Sequence, residues 1–136
     1  MELNLKREDW NVMRAHIEVQ APLEACGLLA GKNNRVGKVL LIENQAKSPV
    51  RFRMNPKEQL EAFNWIGSNQ LDLIGIFHSH PAGPETVSAT DIEEAAYAVS
   101  QIVWSRLKGD WIARGFWIED KQVSEVALKV IDEEQP

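Results

Sequence analysis

Cysteine is nearly absent from this chain. Cys26 is the one thiol among 136 residues, so no intramolecular disulfide can form, and the composition fits a reducing compartment. No apolar run approaches the roughly eighteen residues that a membrane-crossing helix needs. The N-terminal Met1-Glu2-Leu3-Asn4-Leu5-Lys6-Arg7 lacks the apolar core of a secretory signal, and the expected location is cytoplasmic with no membrane partner. Positive charge is also in deficit: 15 Lys and Arg stand against 20 Asp and Glu, for a net charge of −5. Phosphate backbones demand clustered cations, so nucleic acid is not an expected partner. There is no internal repeat, linker or low-complexity stretch. What remains is 44% hydrophobic and 26% charged, the balance of an ordinary globular protein. Its length suits one domain, 1–136, with no room for a second.

Histidine is scarce as well, yet two of the three, His78 and His80, stand one residue apart. The preceding Leu71-Asp72-Leu73-Ile74-Gly75-Ile76-Phe77 reads as a buried strand that ends at them. Side chains of a strand alternate with period two, so His78 and His80 leave one face and Ser79 points away. Pro81-Ala82-Gly83-Pro84 then forces a loop. A helix is expected from Ser88, with Ile92, Ala95, Ala96 and Val99 at helical spacing on one side. Asp91, one turn in, can fold back over the strand end and add an oxygen ligand to two nitrogens. Three protein ligands with a fourth position open are what catalytic zinc requires. Ser88-Ala89-Thr90-Asp91 also fits a helix capping box, and the two readings are compatible.

A second segment offers a base. Pro22-Leu23-Glu24-Ala25-Cys26-Gly27-Leu28-Leu29-Ala30-Gly31 reads as another buried strand, with Glu24 at its entrance. A carboxylate leading into a buried strand needs an explanation. The bland one is a salt-bridged residue at the strand edge. Cys26, two residues on, shares the face of Glu24 and reads as a small buried hydrophobe. His16 falls beside the apolar stripe of Trp10, Met13 and Ile17 on the first predicted helix, as a flank residue and not a ligand.

The other elements follow from pattern. Helix one covers Trp10 to about Gln20 and is stopped by Pro22. The strand from Glu24 to Ala30 pairs with Val39-Leu40-Leu41-Ile42 through a turn at Lys32-Asn33-Asn34-Arg35. Asn55-Pro56-Lys57-Glu58 begins helix two, with Leu60, Phe63 and Ile66 facing inward. Gln101 to Arg106 reads as a strand whose polar ends suggest a sheet edge. Trp111 to Ile118 and Val123 to Val130 form a closing hairpin about Asp120-Lys121-Gln122. Arg51 and Arg53 flank Phe52 on a solvated strand face, most of the five tryptophans belong to the core, and residues 132–136 form a frayed tail.

The entry Glu24 with its Cys-Gly-Leu-Leu-Ala-Gly strand, then His-Ser-His-Pro, then seven residues to Ser88 and two more to Asp91, together resemble the JAMM metalloproteases, also called the MPN-plus or Mov34/PAD-1 family. The resemblance runs from roughly Trp10 to Val130 and includes a Phe-rich strand near Arg51-Phe52-Arg53-Met54. It implies an α/β fold, a mixed and curved sheet with flanking helices and a deaminase-like architecture. Zinc deaminases themselves are disfavoured, because the His-x-Glu and Pro-Cys-x-x-Cys segments they need are missing. By resemblance, His78, His80 and Asp91 bind zinc, Glu24 is the general base, and Ser88 donates to the developing oxyanion. Val87 stands where many relatives have proline, which removes no chemical group. The family cleaves bonds after the C-terminal Gly-Gly of ubiquitin or ubiquitin-like proteins. This chain is similar to its short prokaryotic members, whose expected partners are ubiquitin-like sulfur-carrier proteins, their conjugates, or a carrier with a C-terminal cysteine. A carrier-binding scaffold without activity and a hydrolase of small amides are the alternatives.

Overall fold

The computed structural model describes residues 1–132, with the Leu107 side chain excepted. The elements run β1 (Glu2–Lys6), α1 (Arg7–Gln20), β2 (Cys26–Lys32), β3 (Arg35–Ile42), α2 (Pro56–Ser68), β4 (Asp72–His80), α3 (Ala89–Glu93), β5 (Ser100–Leu107), β6 (Asp110–Glu119) and β7 (Gln122–Ile131). The mixed sheet with flanking helices expected from the sequence is what forms. Its curvature goes as far as closure, in the order β1-β3-β2-β4-β5-β6-β7 and back to β1.

Closure depends on β1, a strand the sequence reading missed. Leu3 and Leu5 alternate with polar neighbours and are buried, the period-two signature of a half-buried strand. The strand lies parallel to β7, from Glu2↔Ala127 to Lys6↔Ile131, and touches β3 at Asn4↔Arg35. Helix α1 starts at Arg7, directly after it, and sets Met13 and Ile17 against Leu29, Phe77, Ile102 and Trp104 on the inner face of the sheet. The outer face carries Cys26, Leu28, Ile42 and Ile76 beneath Ala62 of α2. Successive residues such as Leu28 and Leu29 therefore serve two different cores, which is why β2 reads as a continuous apolar run instead of an alternating one.

The two hairpins form as expected. Lys32 pairs with Arg35 across Asn33 and Asn34, with Asn33 at φ 57°. Glu119 pairs with Gln122 across Asp120 and Lys121, both at positive φ, the conformation that makes tight turns match strand twist. Helix α2 is capped by Asn55, whose side chain accepts from the amides of Lys57 and Glu58, with Pro56 in the first turn. Leu60 is a correction: it is 60% exposed, and Ala62 is buried in its stead, together with Ile66 as expected.

Three further expectations are corrected. Segment 51–54 is not a strand and makes one isolated bridge, Asn44↔Met54. Strand β5 is no edge, since it lies between β4, parallel, and β6, antiparallel, and its polar Ser100, Gln101 and Ser105 are buried. Helix α3 stops at Glu93 and does not continue to Val99. The reason is distance. Because Ser100 pairs with Gly75 while His80 pairs with Ser105, the crossover must return along five residues of strand, about 17 Å at the usual rise. Six more residues of helix would cover only about 9 Å, so residues 94–99 unwind. Of the expected frayed tail, Asp132 is tied to Arg7 at 2.6 Å, and 133–136 lie outside the described residues.

Candidate metal centre

His78 and His80 end β4 on its outer face, in line with Ile76. A single-residue shift in the β2–β4 register between Leu29 and Ala30 sets which face the downstream residues occupy. Ser79 points the other way, as its place in the strand requires. Its hydroxyl oxygen accepts the Ala25 amide at 2.8 Å, and its own amide donates to the Ala25 carbonyl at 3.0 Å. The strand end thereby grips the segment that carries Glu24.

The two imidazoles and Asp91 converge on one point. His78 Nε2 and His80 Nε2 are 3.1 Å apart, and Asp91 Oδ2 lies 3.1 Å from the first and 3.2 Å from the second. Donors held about 2.0–2.1 Å from a tetrahedral ion would be about 3.3 Å from one another. Three lone-pair atoms at such spacing are the donor set of a small divalent cation, with two nitrogens and one oxygen. His80 Nδ1 donates to the Pro84 carbonyl at 2.9 Å, which leaves Nε2 free to coordinate. His78 has no such partner at Nδ1, and its ring is held by stacking on Phe52, with centroids 4.6 Å apart and planes at 26°.

Asp91 is fixed by the capping box. Its Oδ2 accepts the Ser88 amide at 2.8 Å, and the Ser88 hydroxyl oxygen accepts the Asp91 amide at 3.0 Å. Cap and candidate ligand are thus the same pair of residues. The Ser88 hydroxyl hydrogen is not used in either bond and remains available to a third group.

Glu24 completes the cluster. It is buried, 3% exposed, two residues before β2, and a carboxylate oxygen lies within 4.8 Å of ring nitrogens of both His78 and His80. No salt bridge forms to it among the described residues, and its Oε1 has no hydrogen-bond partner, so the reading of Glu24 as a salt-bridged edge residue is overturned. Two triads share the histidines, one closed by Asp91 and one by Glu24. Asp91 is the tighter fit as a ligand, since its oxygen already stands at coordination spacing from both nitrogens.

The electrostatics separate these groups. Burial pushes the Glu24 carboxyl up to about 7, against a smaller opposing pull from His80. Asp91 is also penalised by burial, but hydrogen bonds from His78 and His80 hold it well below the usual carboxylate range. Burial lowers His78 and keeps it neutral, the form that ligates. Burial disfavours the charged form of His80 too, yet the hydrogen bond and charge of Asp91 carry it upward. Cys26 is a buried thiol whose Sγ donates to the Ile42 carbonyl at 3.4 Å, and burial pushes it up to about 12. It is inert packing, as expected. His16 sits half-buried on the flank of α1.

Sequence reasoning missed Asn44. This buried side chain donates to the carbonyls of Glu24 at 2.9 Å and Arg51 at 3.1 Å, and accepts from the amides of Ala46 and Arg53. It ties Glu24 to the 44–54 segment that brings Phe52 over His78. Nothing local marks it, since Asn44 stands within the polar run Glu43-Asn44-Gln45 that follows β3. Arg51 and Arg53 are exposed, and Arg51 reaches Glu94 of the opposite rim at 3.6 Å.

A curved mixed sheet with two histidines at a strand end, and an aspartate folded over them from a helix cap, is the arrangement of a JAB-type domain with a candidate metal centre. The chain belongs to the prokaryotic homologs of the JAB domain, whose model matches residues 6–119, as the motif resemblance implied. It is 39% identical over 124 residues to a desampylase of Pyrococcus furiosus, covering 87% of this chain and 85% of that protein. With the CysO-cysteine peptidase of Mycobacterium tuberculosis it shares 29% over 127 residues, 90% of this chain and 87% of that one. A solution structure from Desulfitobacterium hafniense superposes with a TM-score of 0.87 at 31% identity, covering 96% and 94% of the two chains.

Proposed function

We propose that this chain is a zinc-dependent peptidase that hydrolyses the bond after the C-terminal Gly-Gly of a ubiquitin-like or sulfur-carrier protein. The observation that carries the proposal is the convergence of His78 Nε2, His80 Nε2 and Asp91 Oδ2 within 3.2 Å of one another, beside a buried Glu24 carboxylate oxygen with no partner. The relatives named desampylase, probable TtuB-protein conjugate cleaving protease and CysO-cysteine peptidase support the substrate class, the second by its name a cleaver of protein conjugates and the third a peptidase of a cysteine adduct.

In this reading His78, His80 and Asp91 hold the ion, which when bound lowers the pKa of water to about 7 and polarises the scissile carbonyl. Glu24 removes a proton from the attacking water and delivers it to the leaving amine nitrogen as the C–N bond breaks. Burial raises the proton affinity of the Glu24 carboxylate, the direction that makes it a better base, and a bound cation would offset part of that rise. Ser88 donates its hydroxyl hydrogen to the carbonyl oxygen as that atom gains charge, a role worth about 3–4 kcal/mol of barrier in other hydrolases. Asn44 and Ser79 are positioning residues, one on each side of Glu24. Residues 1–136 act as one catalytic domain in the cytoplasm, a setting in keeping with a lone, buried, reduced cysteine. No helix among the described residues is long and apolar enough to cross a membrane.

The test is intact-mass analysis of a ubiquitin-like carrier extended past its Gly-Gly end by a short peptide, incubated with zinc-loaded wild type and Glu24→Gln. Cleavage after Gly-Gly by the wild type alone is the expected result. Metal-loaded protein that leaves the extended carriers and their conjugates intact, yet binds them tightly, would return the scaffold reading in its place.

A further inference from the structure

A cleft of about 300 Å³ opens beside His78 and Asp91, and neither Glu24 nor Ser88 lines it, so the hydrolytic chemistry leaves it unexplained. Its floor is Ile76, one wall is Phe52 and Met54, and the other is the unwound segment that ends in Tyr97. Both walls are braced by α2. The Phe63 ring meets Tyr97 edge-on at 5.9 Å, and the Gln59 amide donates to the Met54 sulfur at 3.9 Å. The cleft is therefore formed before anything enters it, and its lining mixes apolar side chains with polar ones, the make-up of a side-chain or small-ligand pocket.

We infer that this cleft receives the side chain of the residue immediately after the scissile bond, and that it selects an apolar one. The inference rests on the reading of the chain as a Gly-Gly-directed peptidase. Glycines before the scissile bond have no side chain with which to fill a pocket. The cleft begins at two of the proposed ligands, His78 and Asp91, so its mouth adjoins the reacting carbonyl, and the first residue on the leaving side is the nearest group able to reach it. Ile76, Phe52, Met54 and Tyr97 stabilise an apolar side chain by removing its surface from water, whereas a charged one would exchange its hydration for a lining in which each charge meets both an attracting and a repelling group. At the rim Arg53 and Glu94 carry opposite charge and favour neither sign.

The test uses carrier substrates that differ only in the first residue after Gly-Gly, set to Met, Leu, Gly or Asp, with zinc-loaded wild type and kcat/KM from mass-spectrometric time courses. Met and Leu are expected to be cleaved at least about tenfold faster than Gly and Asp, the scale of a few buried methylenes. Ala96→Trp, which narrows the cleft from an exposed position, is expected to shrink the Met-to-Gly ratio toward one. A parallel series varied at the residue before Gly-Gly should show no such preference. Equal rates across the first series, or a preference that appears only in the parallel one, overturn this inference and leave the peptidase standing. An unchanged ratio in folded, metal-loaded Ala96→Trp also overturns it, and the wild-type series needs no variant to fold. Cleavage of no substrate by metal-loaded protein overturns the peptidase reading and this inference with it.

Discussion

The Asn44 side-chain amide donates to the main-chain carbonyl of Glu24 at 2.9 Å, across 20 residues of sequence, and so fixes the one unpaired carboxylate of the metal centre through its backbone. Asn44→Ala removes four hydrogen bonds at once and leaves buried main-chain groups without partners. At about 1 kcal/mol each, and more for groups left unsatisfied, the loss is expected to be about 3–4 kcal/mol in urea denaturation. In whatever fraction stays folded, kcat should fall because Glu24 is displaced, and KM should rise as the Phe52 wall of the cleft loosens. An alanine variant with wild-type stability and kcat would remove Asn44 from the architecture of the site.

Metal content separates the two triads that share His78 and His80. If Asp91 is the third ligand, Asp91→Ala purified without added zinc loses the ion, while Glu24→Gln keeps one per chain. Inductively coupled plasma mass spectrometry on desalted protein reads the ratio directly. The reverse pattern, with Glu24→Gln empty and Asp91→Ala loaded, would make Glu24 the ligand and leave the reaction without the base assigned to it.

The parts of this site that could be read from sequence are those whose geometry is local. His78 and His80 share a face because a strand has period two, and Ser88 and Asp91 meet because three residues make one helical turn. Asn44, Phe52 and Ser79 have no such local signature, since each acts on a partner at least 20 residues away. The same division holds for the fold. Both hairpins were visible from turn residues, whereas β1 offered only the alternation of Leu3 and Leu5 over five residues, with no adjacent turn to pair it, because its mate β7 is at the far end of the chain. Helix α3 was overextended for a related reason: Glu94 to Val99 favour helix locally, and the parallel pairing of β4 with β5 overrides them. Leu60 was assigned inward for its hydrophobicity alone, and Ala62 occupies the inner face of α2.

The pH dependence of stability in metal-free protein reports on Glu24. Its carboxyl titrates near 7 in the folded chain against about 4.3 in an unfolded one, so between these values the folded state binds more protons. Stability supplied by the protonated form is then greatest below about 4.3 and declines as pH rises toward 7, to a total of at most about 4 kcal/mol. Asp91 and the histidines titrate in both proteins, so the informative quantity is the difference from Glu24→Gln, which has no proton to lose. Metal-free Glu24→Gln should match wild type near pH 4, fall behind it at no higher pH, and exceed it at pH 8. A constant difference across that range in chemical denaturation would mean that burial does not raise Glu24.

Ser88 has two roles that substitution can separate. As the N-cap of α3 it accepts the Asp91 amide, and as the proposed hydroxyl donor it stabilises charge on the reacting carbonyl oxygen. Alanine removes both and should cost about 1 kcal/mol of stability, whereas glycine is nearly as good a cap and should cost only a few tenths. Neither has a hydroxyl, so both should lower kcat by about 10²–10³ with metal content retained. If glycine restores kcat along with stability, Ser88 acts by holding Asp91 and not by touching the substrate. If both variants lose kcat alike while only alanine is destabilised, the hydroxyl acts on the reacting oxygen.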